Sequence, residues 1–334
     1  MKLFCVILNY KTPDMTFEAA TALARALDHV PGSRFVIVDN DSQDGSYESL
    51  QKAVEGSSFR DRCQVLASGH NGGFGAGNNF AVRQNLHGDD PADCYLLLNS
   101  DAVPAEMAVK RMYDFMLTHS DAGICGAYIH GPDGTPHHSA FRFPGIISEF
   151  EEQAHTGLIS KLLAGHIVAL DIPDHTVEVP WVVGACMMIR RETFERIGLF
   201  DETFFLYFEE TDLCRRARQA GYSIYFVREA EVSHVGSAST GLKRLDRPMP
   251  LYWFESRKHY FTTHHGPGYA LVADLAWLAG RGLRGLRYLI EGRVDLRRPR
   301  VTRDFIRFNF GRRSSATASG LSPEHASGPL DPSP

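Results

Sequence analysis

The stretch Cys94–Pro104, CYLLLNSDAVP, decides how this chain is read. An apolar run, Tyr95 to Leu98, stops at Asn99-Ser100-Asp101, and Pro104 follows. A short continuous apolar run closed by polar turn residues predicts a buried strand. Ligands of open α/β sheets bind outside the carboxyl ends of such strands, so Asp101 is expected to project into a crevice. There a carboxylate can hold a divalent cation through hard oxygen contacts. The plainer reading is that Asn-Ser-Asp caps a helix and binds nothing.

On the N-terminal side the same pattern recurs. Leu3–Leu8 is an apolar run ending in Asn9-Tyr10, and Phe35–Val38 ends in Asp39-Asn40-Asp41-Ser42. Cys63–Ala67 makes a third strand. Between them, Thr16–Leu27 has helical spacing, with Phe17, Ala20, Leu23 and Leu27 on one face, and a second helix starts near Tyr47. A Gly-rich loop, Asn71 to Asn78, leads into a helix over about Asn79–Asn85. Alternating strands and helices predict an α/β fold with a mostly parallel sheet and right-handed crossovers. The polar strand ends should then gather on one edge. A dinucleotide fingerprint needs its glycines directly after the first strand, where this chain has Asn9-Tyr10-Lys11-Thr12-Pro13, so an NAD enzyme is disfavoured. The later glycines lack the Lys-Ser/Thr of a Walker loop. They serve either as turns or as a seat for an anionic diphosphate before a helix N-terminus.

On the C-terminal side a helix runs from Pro104 to about Leu117, then a strand over Gly123–Ile129 and a hairpin-like turn, HGPDGTP. Phe150–Ala169 reads equally as helix or loop. VPWVVGACMMIRRETF, from Val179, reads as one strand containing Gly184 and then a helix from about Arg191. A glycine inside a strand often marks close approach of a ligand or backbone. The aromatic run Phe204–Phe208 then precedes Glu209-Glu210-Thr211-Asp212 and a basic helix. Acids there can simply favour the helix N-terminus. Aromatic neighbours would also desolvate them, and desolvation makes a carboxylate a better base. After a strand at Tyr222–Val227 comes His234, which could share the edge with Asp101; a lone histidine is more often structural.

Composition excludes several classes. Hydrophobic residues are 43% and charged residues 22%, and the net charge of −5 argues against nucleic-acid binding. Charge is uneven: Arg281–Arg313 holds eleven Arg against Glu291, Asp295 and Asp304. The six cysteines are scattered, without C-x-x-C, and read as buried thiols of a reducing compartment. Neither a signal peptide nor a spanning helix is recognisable, so a cytoplasmic protein is expected, with any membrane contact peripheral. Tyr269–Ile290 interleaves Arg281, Arg284 and Arg287 with leucines. Such a helix can lie against an anionic membrane or pack on the core. Ser314–Pro334 is expected to be disordered.

Six segments, VILNY, VDNDSQDGS, NGGFGAGNN, LLLNSDAVP, VVGACMMIRRETFERIGLFDETFFLYFEETDLCRRARQAGY and HVGSAST, together resemble the family-2 glycosyltransferases of GT-A fold, in particular their rhamnosyltransferase-like bacterial subgroup. The resemblance spans about Lys2 to His265. It implies a GT-A domain over 1–265, with a nucleotide-binding half to about 104 and an acceptor or catalytic half beyond it. A basic helical extension over 266–313 follows. Asp39 would read the nucleotide base, with Asn9 walling the same pocket. Asn40, Asp41, Gly73, Asn78, Asn99 and Ser100 would line the nucleotide sugar. Asp101 corresponds to the metal-binding acid of D-x-D, its first acid being Asn99 here, and His234 to a second ligand of a divalent cation, Mg2+ or Mn2+. Trp181, Gly184, Ala185 and Asp212 would lie on the acceptor side. Glu210 stands where the family has the Asp of a Glu-Asp pair, the proposed base, which leaves Glu209 or Glu210 to take the proton. The implied reaction is inverting transfer from a nucleoside-diphosphate sugar, dTDP-L-rhamnose as first choice, to a glycan or lipid-linked glycan. A non-catalytic nucleotide-sugar-binding protein on the same fold is the alternative. A nucleotidyltransferase would carry a basic Gly-rich loop after its first strand, which is absent.

Overall fold

The structure, a computed structural model, describes residues 1–236, 248–292 and 300–311. Expectations for Ser237–Thr240 of the HVGSAST segment, for arginines 293–299 and 312–313 and for the tail 314–334 lie outside the described residues.

The N-terminal elements are β1 (Leu3–Asn9), α1 (Pro13–Ala26), β2 (Arg34–Asp39), α2 (Ser46–Glu55), β3 (Cys63–Ala67), α3 (Gly73–Leu86) and β4 (Cys94–Asn99). Then come β5 (Ala102–Pro104), α4 (Ala108–Thr118), β6 (Ala122–His130), β7 (Ala140–Phe141), α5 (Ile146–Ala154) and α6 (Gly157–Leu162). The ambiguous region is therefore two helices with a short 3-10 turn, Ala164–His166. The chain continues through β8 (Val177–Glu178), β9 (Trp181–Val182), β10 (Cys186–Arg190), α7 (Arg191–Ile197), α8 (Glu209–Gln219) and β11 (Ser223–His234). It closes with α9 (Leu251–His265), α10 (Pro267–Glu291) and α11 (Val301–Phe310).

Nine strands form one sheet in the order β3-β2-β1-β4-β10-β6-β11-β5, with β8 beside β11. β4 lies between β1, to which it is parallel, and β10, to which it is antiparallel. Its side chains alternate between two cores: Leu96 and Leu98 meet Leu23 and Met112 on one face, Tyr95 and Leu97 meet Phe194 and Leu213 on the other. Burial on both faces explains why the segment reads as unbroken apolar sequence.

Two expectations are corrected. The segment from Val179 is not one strand. Trp181–Val182 pairs with Ala140–Phe141 in a separate two-stranded sheet, the chain turns at Gly184-Ala185, and only Cys186–Arg190 joins the main sheet. Because β10 runs against β4, its start abuts the end of β4, with Cys186 opposite Leu98. The Gly-rich segment is not a loop either. It forms the first turns of α3, since an added Cβ would sit 2.9 Å from Phe200 Cβ at Gly75 and 2.4 Å from Leu8 Cδ1 at Gly77. Close packing overrides the poor helix propensity of glycine.

The C-terminal helices pack onto α5. Arg257 of α9 is buried between Glu149 of α5 and Asp274 of α10, and Trp277 of α10 stacks on Phe305 of α11 at 4.0 Å. Among the described residues no helix is long and apolar enough to cross a membrane. The six cysteines are all free, and burial pushes the thiols of Cys94, Cys186 and Cys214 up to about 12.

Candidate active site

β1, β2, β4 and β11 bring their carboxyl ends to the same side of the sheet, as their parallel registers require. Asn9 ends β1 and is fully buried. Its amide donates to Asp39 Oδ1 at 2.7 Å, and its Oδ1 accepts from Thr16 Oγ1 at 2.7 Å. Asp39, at the end of β2, also accepts from the Ser42 hydroxyl at 2.6 Å and the Ser42 N–H at 3.0 Å. This carboxylate therefore fixes the turn after β2. Asp41 adopts a left-handed conformation (φ 57°), as does Lys11 (φ 58°) in the neighbouring loop. Asn40 is buried and donates to Asn71 Oδ1 and the Gly73 carbonyl, fastening this turn to α3.

The end of β4 is tied to four partner residues. Ser100 Oγ accepts from Thr12 at 3.2 Å, and the Asn99 N–H donates to the Ala185 carbonyl at 2.9 Å. Asp101 Oδ1 lies 3.0 Å from His234 Nε2, and Asp101 Oδ2 accepts from the Gly236 N–H at 3.0 Å. The Asn99 amide lies 3.3 Å from the same His234 nitrogen. Pairing of β5 with the end of β11, Ala102 opposite His234, enforces this contact across 133 residues. Burial alone would raise the Asp101 pKa; the His234 hydrogen bond and charge, with backbone N–H groups including that of Gly236, outweigh it and hold the carboxyl below its ordinary value.

Glu209 and Glu210 open α8. The two residues before them, Tyr207 (φ 71°) and Phe208 (φ 70°), are both left-handed. Strain of this kind in bulky residues collects at functional sites. Glu209 is buried and Glu210 half-buried, and the Oε2 of each has no hydrogen-bond partner among the described residues. Burial pushes the Glu209 carboxyl well up, with the adjacent Glu210 charge adding to it. Burial also raises Glu210, less strongly, because backbone N–H groups including that of Gly184 favour its charged form. A Cβ on Gly184 would sit 3.3 Å from Phe74 Cζ and 3.8 Å from Glu210 Cβ, so the turn before β10 lies directly against this acid. Glu210 is thus joined through Gly184 and Ala185 to Asn99, and through Asn99 to His234 and Asp101.

Other expected site residues have different partners. Gly73 (φ +88°) lies under Phe205, whose carbonyl a Cβ there would meet at 1.7 Å, and the Phe74 N–H donates to that same oxygen. Asn78 is buried and donates to the Phe74 carbonyl in its own helix. Gly73 lets the aromatic loop approach the first turn of α3. Asp212 is buried between His264 at 2.8 Å and Arg216, which itself donates to the Ile197 and Leu199 carbonyls. It anchors α8 from behind. Trp181 stacks on Phe141 at 4.3 Å and donates to the Arg142 carbonyl.

Sequence reasoning missed the clamp itself. Asn79 is buried and bonds both the N–H and the carbonyl of Phe200, as well as Glu202, which Arg83 also holds. Its signal was the last Asn of NGGFGAGNN. His264 and the Asp201–His259 pair (2.7 Å) carried none.

Among the described residues no group of three or more His, Cys, Asp or Glu side chains forms a metal cage. Asp101 and His234 are a sparse donor pair. Only the Asp101 carboxylate is the oxygen donor a hard cation prefers; the His234 Nε2 beside it, at 3.0 Å, is a nitrogen donor.

A mixed sheet with helices on both faces and polar groups at its strand ends has the GT-A architecture. The mannosyltransferase PcManGT of Pyrobaculum calidifontis, solved with GDP-Man and Mn2+, shares the fold. Its TM-score is 0.51 at 12% identity, over 87% of this chain and 79% of that one. The Glycosyl transferase family 2 profile matches residues 6–198, and the chain belongs to that family. It is a glycosyltransferase, and its relatives are rhamnosyltransferase-like. An N-acetylglucosaminyl-diphospho-decaprenol L-rhamnosyltransferase of Mycobacterium tuberculosis (strain CDC 1551 / Oshkosh) is 25% identical over 283 residues, 81% of this chain and 84% of that protein. A low-salt glycan biosynthesis hexosyltransferase of Haloferax volcanii is 27% identical over 66% of this chain and 62% of its own length.

Proposed function

We propose that this glycosyltransferase moves a sugar from a nucleoside diphosphate to an acceptor hydroxyl with inversion, using a divalent cation. The observation that carries the reading is the connected path from Glu210 through Gly184, Ala185 and Asn99 to His234 and Asp101. Asn9, Asp39 and the turn to Ser42 hold the nucleotide end. Asp101 and His234 would hold Mg2+ or Mn2+, which when bound would offset the charge of the departing nucleoside diphosphate. Glu210 takes the proton of the acceptor hydroxyl. Its raised pKa suits a general base, since it binds the proton more strongly than an ordinary carboxylate. Glu209, pushed further up by burial and by the neighbouring Glu210 charge, lacks the Gly184 N–H that favours the charged form of Glu210 and is the less suited of the two to be the base. One base facing the leaving group requires no covalent intermediate. The aromatic pair Phe141–Trp181 and the Gly184-Ala185 turn form the acceptor side.

The donor in this reading is dTDP-L-rhamnose, supported by the rhamnosyl group named for the mycobacterial relative. The acceptor is a glycan or lipid-linked glycan, supported by that relative's diphospho-decaprenol acceptor. A lipid-linked acceptor suits a cytoplasmic enzyme in peripheral contact with an anionic membrane, making cell-surface polysaccharide. Thermal-shift screening of the full chain against nucleotide sugars with Mn2+ tests the donor. Stabilisation by dTDP-L-rhamnose above UDP- and GDP-sugars is expected; equal or greater stabilisation by another donor overturns the assignment.

A further inference from the structure

Arg215 of α8 is a cation without an anion. It is half-buried, and its Nη1 donates to the Tyr260 hydroxyl at 2.9 Å. Its guanidinium lies over two rings, Phe143 at 5.2 Å and Tyr260 at 5.8 Å. Its Nε is buried without a hydrogen-bond partner, and no carboxylate pairs with it among the described residues. The arginines next along the helix are matched: Arg216 holds Asp212 and two carbonyls, and Arg218 holds Glu178. Asp212, three residues before Arg215, is already taken by Arg216 and His264. Aromatic faces attract a guanidinium but replace only part of its hydration, so a half-buried one left unpaired is costly. His265 repeats the pattern. Its Nε2 is buried without a partner, and burial, followed by the charges of Arg215 and His264, holds its pKa below the ordinary value. This patch is short of negative charge, and the planar fork of a guanidinium suits a phosphate.

The position says which phosphate. Arg215 follows Glu210 by five residues on α8, about 7.5 Å of helix rise. That axial spacing is close to the length of one sugar unit. Glu210 lies against Gly184. Phe143, under Arg215, follows Arg142, whose carbonyl accepts from the indole of Trp181, three residues before Gly184. Base and guanidinium therefore border the same short segment, 181–184, on the acceptor side. The donor's diphosphate, in the reading above, belongs with Asp101 and His234 at the ends of β4 and β11, which leaves Arg215 to the acceptor.

We infer that Arg215 binds a phosphate of an acceptor whose sugar is carried on a diphosphate, with that sugar lying between Arg215 and Glu210. The inference rests on the acceptor reading above and adds the residue that selects a diphosphate-linked acceptor over a neutral glycoside. Arg215 touches no reacting atom; it sets which acceptor is bound.

The test is calorimetry on the full chain without donor, comparing two acceptors that carry the sugar named for the mycobacterial relative. One is an alkyl N-acetylglucosaminyl diphosphate, the other the neutral alkyl N-acetylglucosaminide. Wild type should bind the diphosphate more tightly. Arg215→Gln should weaken that binding about ten- to hundredfold, the worth of a lost hydrogen bond between charged groups, and leave the neutral acceptor unchanged. Arg215→Lys keeps the charge and loses the fork, and should fall between. Binding of dTDP with Mn2+ should be the same in all three chains, which separates the acceptor's phosphate from the donor's. In steady-state transfer the same substitutions should raise KM for the diphosphate acceptor and leave kcat nearly unchanged. Calorimetry needs no turnover, so its result is independent of whether Glu210 is the base. Wild-type binding of neither acceptor would overturn the acceptor reading and the inference with it. Equal wild-type affinity for the two acceptors, unchanged diphosphate affinity in Arg215→Gln, an equal loss on both acceptors, or a matching loss of dTDP binding would overturn the inference alone.

Discussion

Glu209 and Glu210 are neighbours in sequence with different surroundings. Only Glu210 has the Gly184 N–H to favour its charge, while Glu209 is buried beside another acid. Glu210→Gln should therefore lower kcat by about 10²–10⁴-fold, the range of a lost general base. Glu209→Gln, at the acid without that Gly184 contact, should keep most of the activity; steady-state kinetics on both variants checks this. Because Glu210 must be ionised to act, wild-type kcat/KM should rise with pH and level off above the ordinary Glu value of about 4.3. A buried carboxyl with a raised folded pKa costs nothing below its unfolded value and weakens the fold as pH rises through the folded one. The Tm advantage of Glu209→Gln over wild type should accordingly grow from pH 4 to pH 8. Asp101 has the opposite sign: its folded pKa is depressed, so its contribution is present above about 3.9 and lost as pH falls through the lower folded value. At this scale the sequence was informative where chemistry is local. An Asp after an apolar run and acids after aromatics were legible in Asp101 and Glu210. The engagement of Asp212 by His264 was not, because 52 residues separate them.

The elements that shape the site are α3 and the aromatic loop between α7 and α8. Gly73 lets the Phe205 carbonyl approach, and Asn79 grips Phe200 from the same helix. Gly73→Ala combines a φ of +88° with an impossible 1.7 Å contact, so the loop must move. The expected outcome is a loss of about 1–3 kcal/mol or more in denaturant unfolding, together with most of the turnover. Gly184→Ala meets only the edge of Phe74, at 3.3 Å, and should cost less stability while still displacing Glu210. Glycine loops look alike in sequence whether they seat a phosphate or a neighbouring backbone. The backbone that lies against Gly73 belongs to Phe205, more than 130 residues away. Strand direction was hidden for a similar reason: nothing local in Cys186–Arg190 says that it enters between β4 and β6 antiparallel to both.

Across the whole molecule, Arg257 of α9 joins α5 through Glu149 and α10 through Asp274. Removing it leaves two buried carboxylates without a partner. Arg257→Ala should therefore cost about 3–5 kcal/mol in equilibrium unfolding. Helix α10 could be read as a helix from its composition, but which side faced inward could not, since its buried positions hold Asp274 and Arg284 and its leucines lie outside. The proposal that side chains from four strand ends and one helix start act together in a single site is the centre of this account. Nucleoside diphosphate release from dTDP-L-rhamnose, with acceptor and Mn2+, measured side by side for wild type, Asp101→Ala and Glu210→Gln, tests it most directly. The account predicts that both variants stay folded and lose nearly all release; full turnover by folded Glu210→Gln would contradict it.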